Sequence, residues 1–487
     1  MDDAPTGRAA PASFVDEILH YARLRPEQPA IILPDRLVSY DMLAQGILRA
    51  EARISSLELK PDELVCVTLA SPIRHLIVVA ALFRLGRPSM SAASVDEIVG
   101  LKFPARVYLE DAGGALTPGL RRILVDEEWF AGPRLPIRPR RGFASGDSLC
   151  VVVLSSGTTG VPKAMWLSAA DAYSRIVTEG HKLSDALGVR GRVLNLLRTS
   201  GGWGLALTAH TLSSGGTVVF ADSARQALQM ASAYHVDAIV ASTQQIRDLV
   251  REQTRAPIPC PSVKALMFAG ALAPPALMME ARARLCAQAI VLYGATEAGA
   301  VAATPVELVM GQEGAVGYPQ PGVTLEIVDA DDRPLARGVS GVVRMRTPAM
   351  AQPFPPGAKD AHPGLRGGWF YPGDRGRLTE DGMLALEGRT NEVINTGGVK
   401  RAPELIEEVV LSHPNVADVA AFGAVGTDGI EEVNLAVVSR APIAERHLID
   451  WCAERGLGVA RVFAVDSLPR TPLGKIRREE LKAGLIG

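Results

Sequence analysis

Residues 155–164 read SSGTTGVPKA, in which Ser155, Ser156, Thr158 and Thr159 with Gly157 and Gly160 stand in front of Lys163. Hydroxyl donors and backbone amides opened by glycine are what a phosphate group needs, and a lysine adds charge. The phosphate loop of common nucleotide hydrolases requires G-x-x-x-x-G-K-[ST], whose last hydroxyl ligates magnesium. That pattern fails here: the glycines are three residues apart, Pro162 precedes Lys163, and Ala164 occupies the hydroxyl position. Ser168 and Asp171 read as a helix N-cap and its third helical residue. A short strand therefore separates loop from helix, and no helix dipole is aimed at a phosphate. Taken alone, phosphate binding stands beside an ordinary Ser/Gly/Thr turn that binds nothing.

The elements that must carry this loop alternate between two periodicities. ELVCVTLA, LCVVVLSS, GTVVFA and AIVAS read as strands, whereas RHLIVVAALFRLG, closed by Gly86, and QQIRDLVREQ read as helices. Strands alternating with helices predict an α/β architecture with mostly parallel sheets. From about residue 313 short alternating strands and turn residues replace the helical period, which predicts a β-rich subdomain over 313–388. A second change follows LALEGR. PELIEEVVLSHP, VADVAAFGAV, EVNLAVVS and ERHLIDWCAERG predict a small α+β domain over 389–487, after an N-terminal domain over 1–388.

Composition limits the function classes. The chain has 487 residues, too many for one core, with 47% hydrophobic and 21% charged residues, the balance of a globular protein. A net charge of −2 provides no basic field for nucleic acid. Five scattered cysteines (Cys66, Cys150, Cys260, Cys286, Cys452) form no CxxC pair, and their odd number argues against a closed disulfide framework. They are expected as core thiols of a reducing compartment. The opening MDDAPTGRAAPASF lacks the apolar centre of a signal peptide, and no run of eighteen apolar residues spans a membrane, so the cytoplasm is the expected location.

Four further stretches follow the loop in order: LYGATEAGA (292–300), GWFYPGDRGRLTEDG (368–382), EGRTNEVINTGGVKRAPELIEE (387–408) and RTPLGKIRR (470–478). In this register the chain resembles the adenylate-forming superfamily of acyl-CoA synthetases, peptide-synthetase adenylation domains and luciferases, over roughly residues 13–482. The resemblance implies a large domain that holds ATP and acid, and a small mobile C-terminal domain that closes over it. It implies two half-reactions: a carboxylate attacks the α-phosphate of ATP, then a thiol of coenzyme A or of a carrier phosphopantetheine displaces AMP. It places the β- and γ-phosphates in the 155–160 loop, with Lys163 holding or closing it. Thr296 donates to the α-phosphate, and Glu297 ligates magnesium, a hard cation that takes oxygen ligands. Gly270, Tyr293 and Gly294 belong to the nucleotide site, Asp374 accepts from the ribose hydroxyls, and Arg389 donates to ribose or phosphate oxygens. Lys475 bridges the acid carboxylate and the α-phosphate. Without that frame, Tyr293 reads as core, Asp374 as a turn cap, and Arg389 and Lys475 as solvated charges.

Some positions depart from the resembled pattern. Asn391 stands at the hinge where Asp or Lys is usual, Asn395 for a frequent lysine, Pro372 for threonine, Ala164 for glycine and Val342 for glutamate. None removes a residue that adenylation needs; their weight falls on the thioester step. In NLLRTSGGWGLAL, Thr199 replaces a histidine and Trp203 falls where an aromatic borders the acyl tunnel. Ala269, Gly270 and Ala271, with Ala295, leave room for a flat or linear apolar group, although Trp203 reads equally as core. No acidic residue in these stretches would hold an α-amino group. The expected function is an AMP-forming acid–thiol ligase using ATP, magnesium and coenzyme A. The alternatives are loading of a separate carrier protein, transfer to an amine, and a degenerate nucleotide-binding relative.

Overall fold

The computed structural model describes residues 8–9, 13–92, 95, 105–111, 119–140, 142–155, 163–178, 180, 191–270, 273–356, 362–389, 392, 394–396, 399–401, 403–426, 431–471 and 474–486. Two large sheets organise the first part of the chain. One has eight strands, in the order 299–305, 289–295, 265–269, 238–242, 192–195, 217–219, 29–32 and 37–39. Its five inner pairings, from 265–269 against 289–295 to 29–32 against 217–219, are all parallel, and only the two edges are antiparallel. The other has seven strands, and its inner members 65–68, 89–91 and 107–110 are again parallel. Their continuous apolar sequences, such as AIVAS at Ala238–Ser242, are buried on both faces, as a helix-covered parallel sheet requires.

The helices end where the chain demands it. Pro72–Arg84 starts on the Ser71 hydroxyl and stops at Gly86, whose φ of +63° is open to glycine. Gly86 also lies against residue 142: an added Cβ would come within 2.3 Å of the Gly142 carbonyl. Helices Phe14–Leu24, Tyr40–Ser55 and Pro72–Arg84 bury their apolar faces together with Gly202–Ser213. Each fully buried Leu or Ile there, such as Leu43 or Ile47, is worth about 1.5–3 kcal/mol. Buried Arg84 ties the three N-terminal helices, with Nε 3.0 Å from Glu51 and Nη1 2.5 Å from Asp16.

The β-rich region forms an antiparallel seven-stranded sheet between Ala315 and Arg389. Beyond it lie the hairpin Ile394–Thr396 with Val399–Arg401, and a three-stranded sheet of Val416–Val425, Glu431–Ser439 and Val459–Ala464. Helices Pro403–Leu411 and Glu445–Ala453 bury their apolar faces against that sheet. Cys66, Cys150, Cys286 and Cys452 are buried and Cys260 half-buried, and all five are free thiols. Burial pushes the Cys66 thiol up to about 12, as expected of an inert core sulfur. Among the described residues, no helix is long and apolar enough to cross a membrane.

Candidate functional site

Strands Ala289–Ala295 and Gly299–Pro305 form a hairpin whose tip carries Thr296 and Glu297. A register shift after Tyr293 and the absence of a side chain at Gly294 bring the two strands close: a Cβ there would sit 2.4 Å from the Gly299 carbonyl. The tip is clamped from below by Arg175. Its guanidinium donates to the carbonyls of Thr296 (2.7 Å), Glu297 (2.8 Å) and Ala349 (2.8 Å). Arg175 lies in a π-helical turn, Ser174–Thr178, a geometry common at functional sites. The Thr347 hydroxyl adds a bond to the Ala298 carbonyl at 2.7 Å. Backbone and side-chain donors thus set the direction of both tip residues.

Tyr293 leads from this hairpin to the β-rich sheet. Its Oη donates to Asp374 Oδ2 at 2.5 Å. Asp374 and Arg389 are direct cross-strand partners, with Arg389 Nε 3.5 Å from Asp374 Oδ1. Burial, then the Asp374 carboxylate, pushes the Tyr293 phenol well above its ordinary range, so it remains a donor. Burial works against the Arg389 charge, but Asp374 and Glu392 outweigh it and raise its pKa. Two carboxylate oxygens offer about four lone-pair positions, so Asp374 keeps capacity for further hydroxyl donors beside these two.

Lys475 reaches the same place from the far end of the chain. It sits on a turn closed by Gly474 (φ +81°), with its amide donating to Thr471 Oγ1 at 3.1 Å and its carbonyl accepting from Thr471 N at 2.7 Å. Arg470 braces the turn: it holds Asp418 at 2.7 and 2.9 Å and donates to the Gly474 carbonyl at 2.6 Å. The turn packs on the start of helix Thr243–Arg255, where a Cβ on Gly474 would lie 3.3 Å from Gln244 Cβ. Burial, then the Arg389 guanidinium, lowers the Lys475 pKa, while Asp374, Glu392 and Glu297 pull it upward. Its ammonium thus stands within electrostatic reach of Arg389 and three carboxylates.

The strands flanking the Ser/Gly/Thr-rich loop after residue 155 are in place. Ser155 pairs with Lys163 across the antiparallel ladder, and the Ser168 hydroxyl accepts from Asp171 N at 3.1 Å to cap helix Ala169–Tyr173. Loop residues Ser156, Gly157, Thr158, Thr159 and Gly160 lie outside the described residues, as do Ala271 and Asn391. Half-buried Trp203 packs with Ala269, Leu292 and Ala300 on one face of the eight-stranded sheet. Asn195 holds its helix, donating to the Gly204 carbonyl (3.1 Å) and Thr208 Oγ1 (3.0 Å). Gly270 follows Ala269 at a φ of +86°, turning the chain out of the strand. Arg198 is exposed.

Glu297 is buried and its Oε1 lies 3.2 Å from His362 Nε2. Among the described residues no cluster of three or more His, Cys, Asp or Glu side chains could cage a metal by itself. Magnesium takes one or two carboxylates and completes its shell with substrate phosphates and water. Glu297 is a hard oxygen donor of this kind. Sequence reasoning did not single out Arg175, His362, Arg470 or Glu392. Arg470 lies inside a quoted motif, but nothing in its spacing marked it as the brace of Lys475.

Two family models match the chain: AMP-binding enzyme over residues 116–354, and AMP-binding enzyme C-terminal domain over residues 405–475. The chain is 27% identical to a fatty acid–[acyl-carrier-protein] ligase of Streptomyces coeruleorubidus, with 96% of each covered. It is 25% identical to the 2-succinylbenzoate–CoA ligase of Bacillus subtilis strain 168, over 96% of this chain and 97% of that one. The structure of the Bacillus subtilis o-succinylbenzoate coenzyme A synthetase in complex with AMP superposes with a TM-score of 0.81 at 25% identity, covering 96% of this chain and 98% of that one.

Proposed function

The chain belongs to the AMP-binding enzyme family, and from that premise we propose that it joins an apolar carboxylic acid to coenzyme A through an acyl-adenylate. The observation that carries the proposal is the convergence of Lys475 with Asp374, Arg389 and Glu297, residues drawn from four separate stretches of sequence. In-line attack of a carboxylate on the α-phosphate brings two anions together, and catalysis must neutralise charge where it develops. Lys475 meets the attacking carboxylate and the α-phosphate, and Thr296 donates to the latter. Asp374 accepts from the ribose hydroxyls, and Arg389 donates to ribose or phosphate oxygens. Tyr293 and Gly294 flank the adenine, with Gly270 at the same site. The 155–160 loop and Lys163 hold the β- and γ-phosphates. Magnesium, held by Glu297, would neutralise phosphate charge.

The acid lies against Trp203, Ala269, Ala271 and Ala295, an apolar and uncharged wall. Residues 1–388 form the body and residues 389–487 the lid, which pivots at Asn391 between half-reactions. The turn bearing Lys475 is packed on Gln244, the arrangement suited to adenylation. Two named relatives support two acceptors: the Streptomyces enzyme a carrier protein, the Bacillus enzyme coenzyme A. Pyrophosphate release from ATP, measured against a panel of aliphatic, aromatic and amino acids, tests the first half-reaction. Active acids are then incubated with coenzyme A or with a carrier protein and the thioester quantified. Absence of acid-dependent pyrophosphate release across the panel refutes the reading, and a thioester found only on the carrier reassigns the acceptor.

A further inference from the structure

Glu297 is gripped at both ends. Its carbonyl accepts from Arg175 Nη2 and from the Ala351 amide, each at 2.8 Å. Its carboxylate faces the imidazole of His362, with Nε2 3.2 Å from Oε1 and only 6% of the histidine side chain exposed. The other ring nitrogen is committed: Nδ1 accepts the Gly364 N–H at 3.1 Å, while the Leu365 N–H closes the same turn on the His362 carbonyl at 3.0 Å. A nitrogen that accepts an N–H must present its lone pair, so the neutral ring carries its proton on Nε2. That proton points at Glu297.

The ring cannot easily swing away. It packs against Phe370 with centroids 6.0 Å apart, and Gly364 leaves space that a Cβ would fill 3.1 Å from His362 Cε1. Phe370 ends a short hairpin, Leu365–Arg366 with Trp369–Phe370, four residues before Asp374. The turn at His362 therefore belongs to the segment that delivers the Asp374 carboxylate, and it touches the hairpin that delivers Glu297.

We propose that His362 is a positioning residue for magnesium binding: its Nε2–H fixes the carboxylate of Glu297 in the orientation a nucleotide-bound divalent cation requires. The proposal rests on the reading of Glu297 as a metal ligand. Partners that orient a metal's ligands typically contribute about 10–100-fold in metal affinity, and the geometry at His362 matches that role. One ring nitrogen serves the turn and the other serves the ligand, so two substitutions separate the functions. In His362→Asn the amide oxygen can replace Nδ1 as acceptor for Gly364, but the amide nitrogen of this shorter side chain does not reach Glu297. In His362→Gln the amide nitrogen occupies the position of Nε2, while the turn loses its acceptor.

The full-length protein is titrated with Mg²⁺ in the adenylation assay at saturating ATP and acid. Independently, Mn²⁺ binding with a non-hydrolysable ATP analogue is followed by electron paramagnetic resonance without acid. His362→Asn is expected to weaken the metal midpoint about 10–100-fold in both measurements, with a melting temperature close to that of the parent. His362→Gln is expected to keep metal affinity within a few-fold while melting lower. Unchanged Mn²⁺ affinity in His362→Asn overturns the proposal, as does equal loss in both variants. Should His362→Asn fail to fold, His362→Gln decides alone: retained affinity supports the role and lost affinity refutes it. Glu297→Gln separates this proposal from its premise. If that variant binds Mn²⁺ as the parent does, Glu297 is no ligand and both ideas fall. If it weakens binding and His362→Asn does not, only the role of His362 falls.

Discussion

Replacing Arg175 by methionine removes a clamp that no nucleotide contact would reveal. The guanidinium makes three bonds of 2.7–2.8 Å to the carbonyls of Thr296, Glu297 and Ala349. A buried carbonyl stripped of its donor costs about 1–3 kcal/mol. The three losses are unequal. Glu297's carbonyl keeps the Ala351 amide at 2.8 Å, and that of half-buried Thr296 can recruit water. Ala349 is 1% exposed and bears the full penalty. The expected destabilisation is therefore about 2–4 kcal/mol, below the 5–15 kcal/mol that holds a domain together, so the variant should fold. The loss is concentrated at the turn that aims Thr296 and Glu297, where a misplacement of about 1 Å can cost ~10²-fold in rate. Urea denaturation by circular dichroism gives the first quantity, and single-turnover acyl-adenylate formation at saturating ATP and acid gives the second. Arg175→Lys, with one ammonium for three carbonyls, should recover less than half of either. Adenylation within about threefold of the parent, alongside the stability loss, would show that Arg175 serves folding alone and refute its role in aiming the turn.

Lys475→Ala should slow acyl-adenylate formation by ~10²–10³, about 2.7–4 kcal/mol, while thioester formation from supplied acyl-adenylate persists; equal losses in the two half-reactions would count against its place at the α-phosphate. Because burial and Arg389 lower the Lys475 pKa, the protonated form is lost as pH rises through that lowered value, and adenylation should fall at a pH below the ordinary lysine range; a pH profile of single-turnover rates without that limb contradicts this. Trp203→Ala should change the preferred size of the acid and leave the apparent ATP affinity nearly unaltered, which initial rates across an acid panel check. His75 is fully buried, and burial pushes it down to about 4 from an unfolded value of 6.5. Its folded pKa is depressed, so folded His75 stays neutral down to about 4 while the unfolded chain takes up its proton near 6.5, and stability is lost as pH falls from 6.5 toward 4, on the order of 3 kcal/mol. Urea melts at pH 7 and pH 4 should show this drop, and His75→Leu should remove most of it.

What the sequence determined was local or patterned. Ser168 was legible as a cap because its partner is three residues away, and Gly86 as a helix stop because a positive φ there is a local property, although its close approach to Gly142 was not legible. Strand and helix alternation followed from apolar periodicity, and hence the parallel sheets. The order of five motifs was enough to point to the family, since a shared order survives where contacts cannot be seen. Tertiary structure decided which side chains meet. Tyr293 and Asp374 are 81 residues apart and bond because the edge hairpin of one sheet abuts the end of another. Lys475, a solvated charge by any local reading, joins Arg389 and Asp374 only when its turn docks on Gln244. Arg175 and His362 were invisible for a more general reason. Arg175 recognises backbone carbonyls, which every residue carries, and His362 reaches Glu297 from 65 positions along the chain. Such contacts leave no spacing or composition to read, because long-range packing alone creates them.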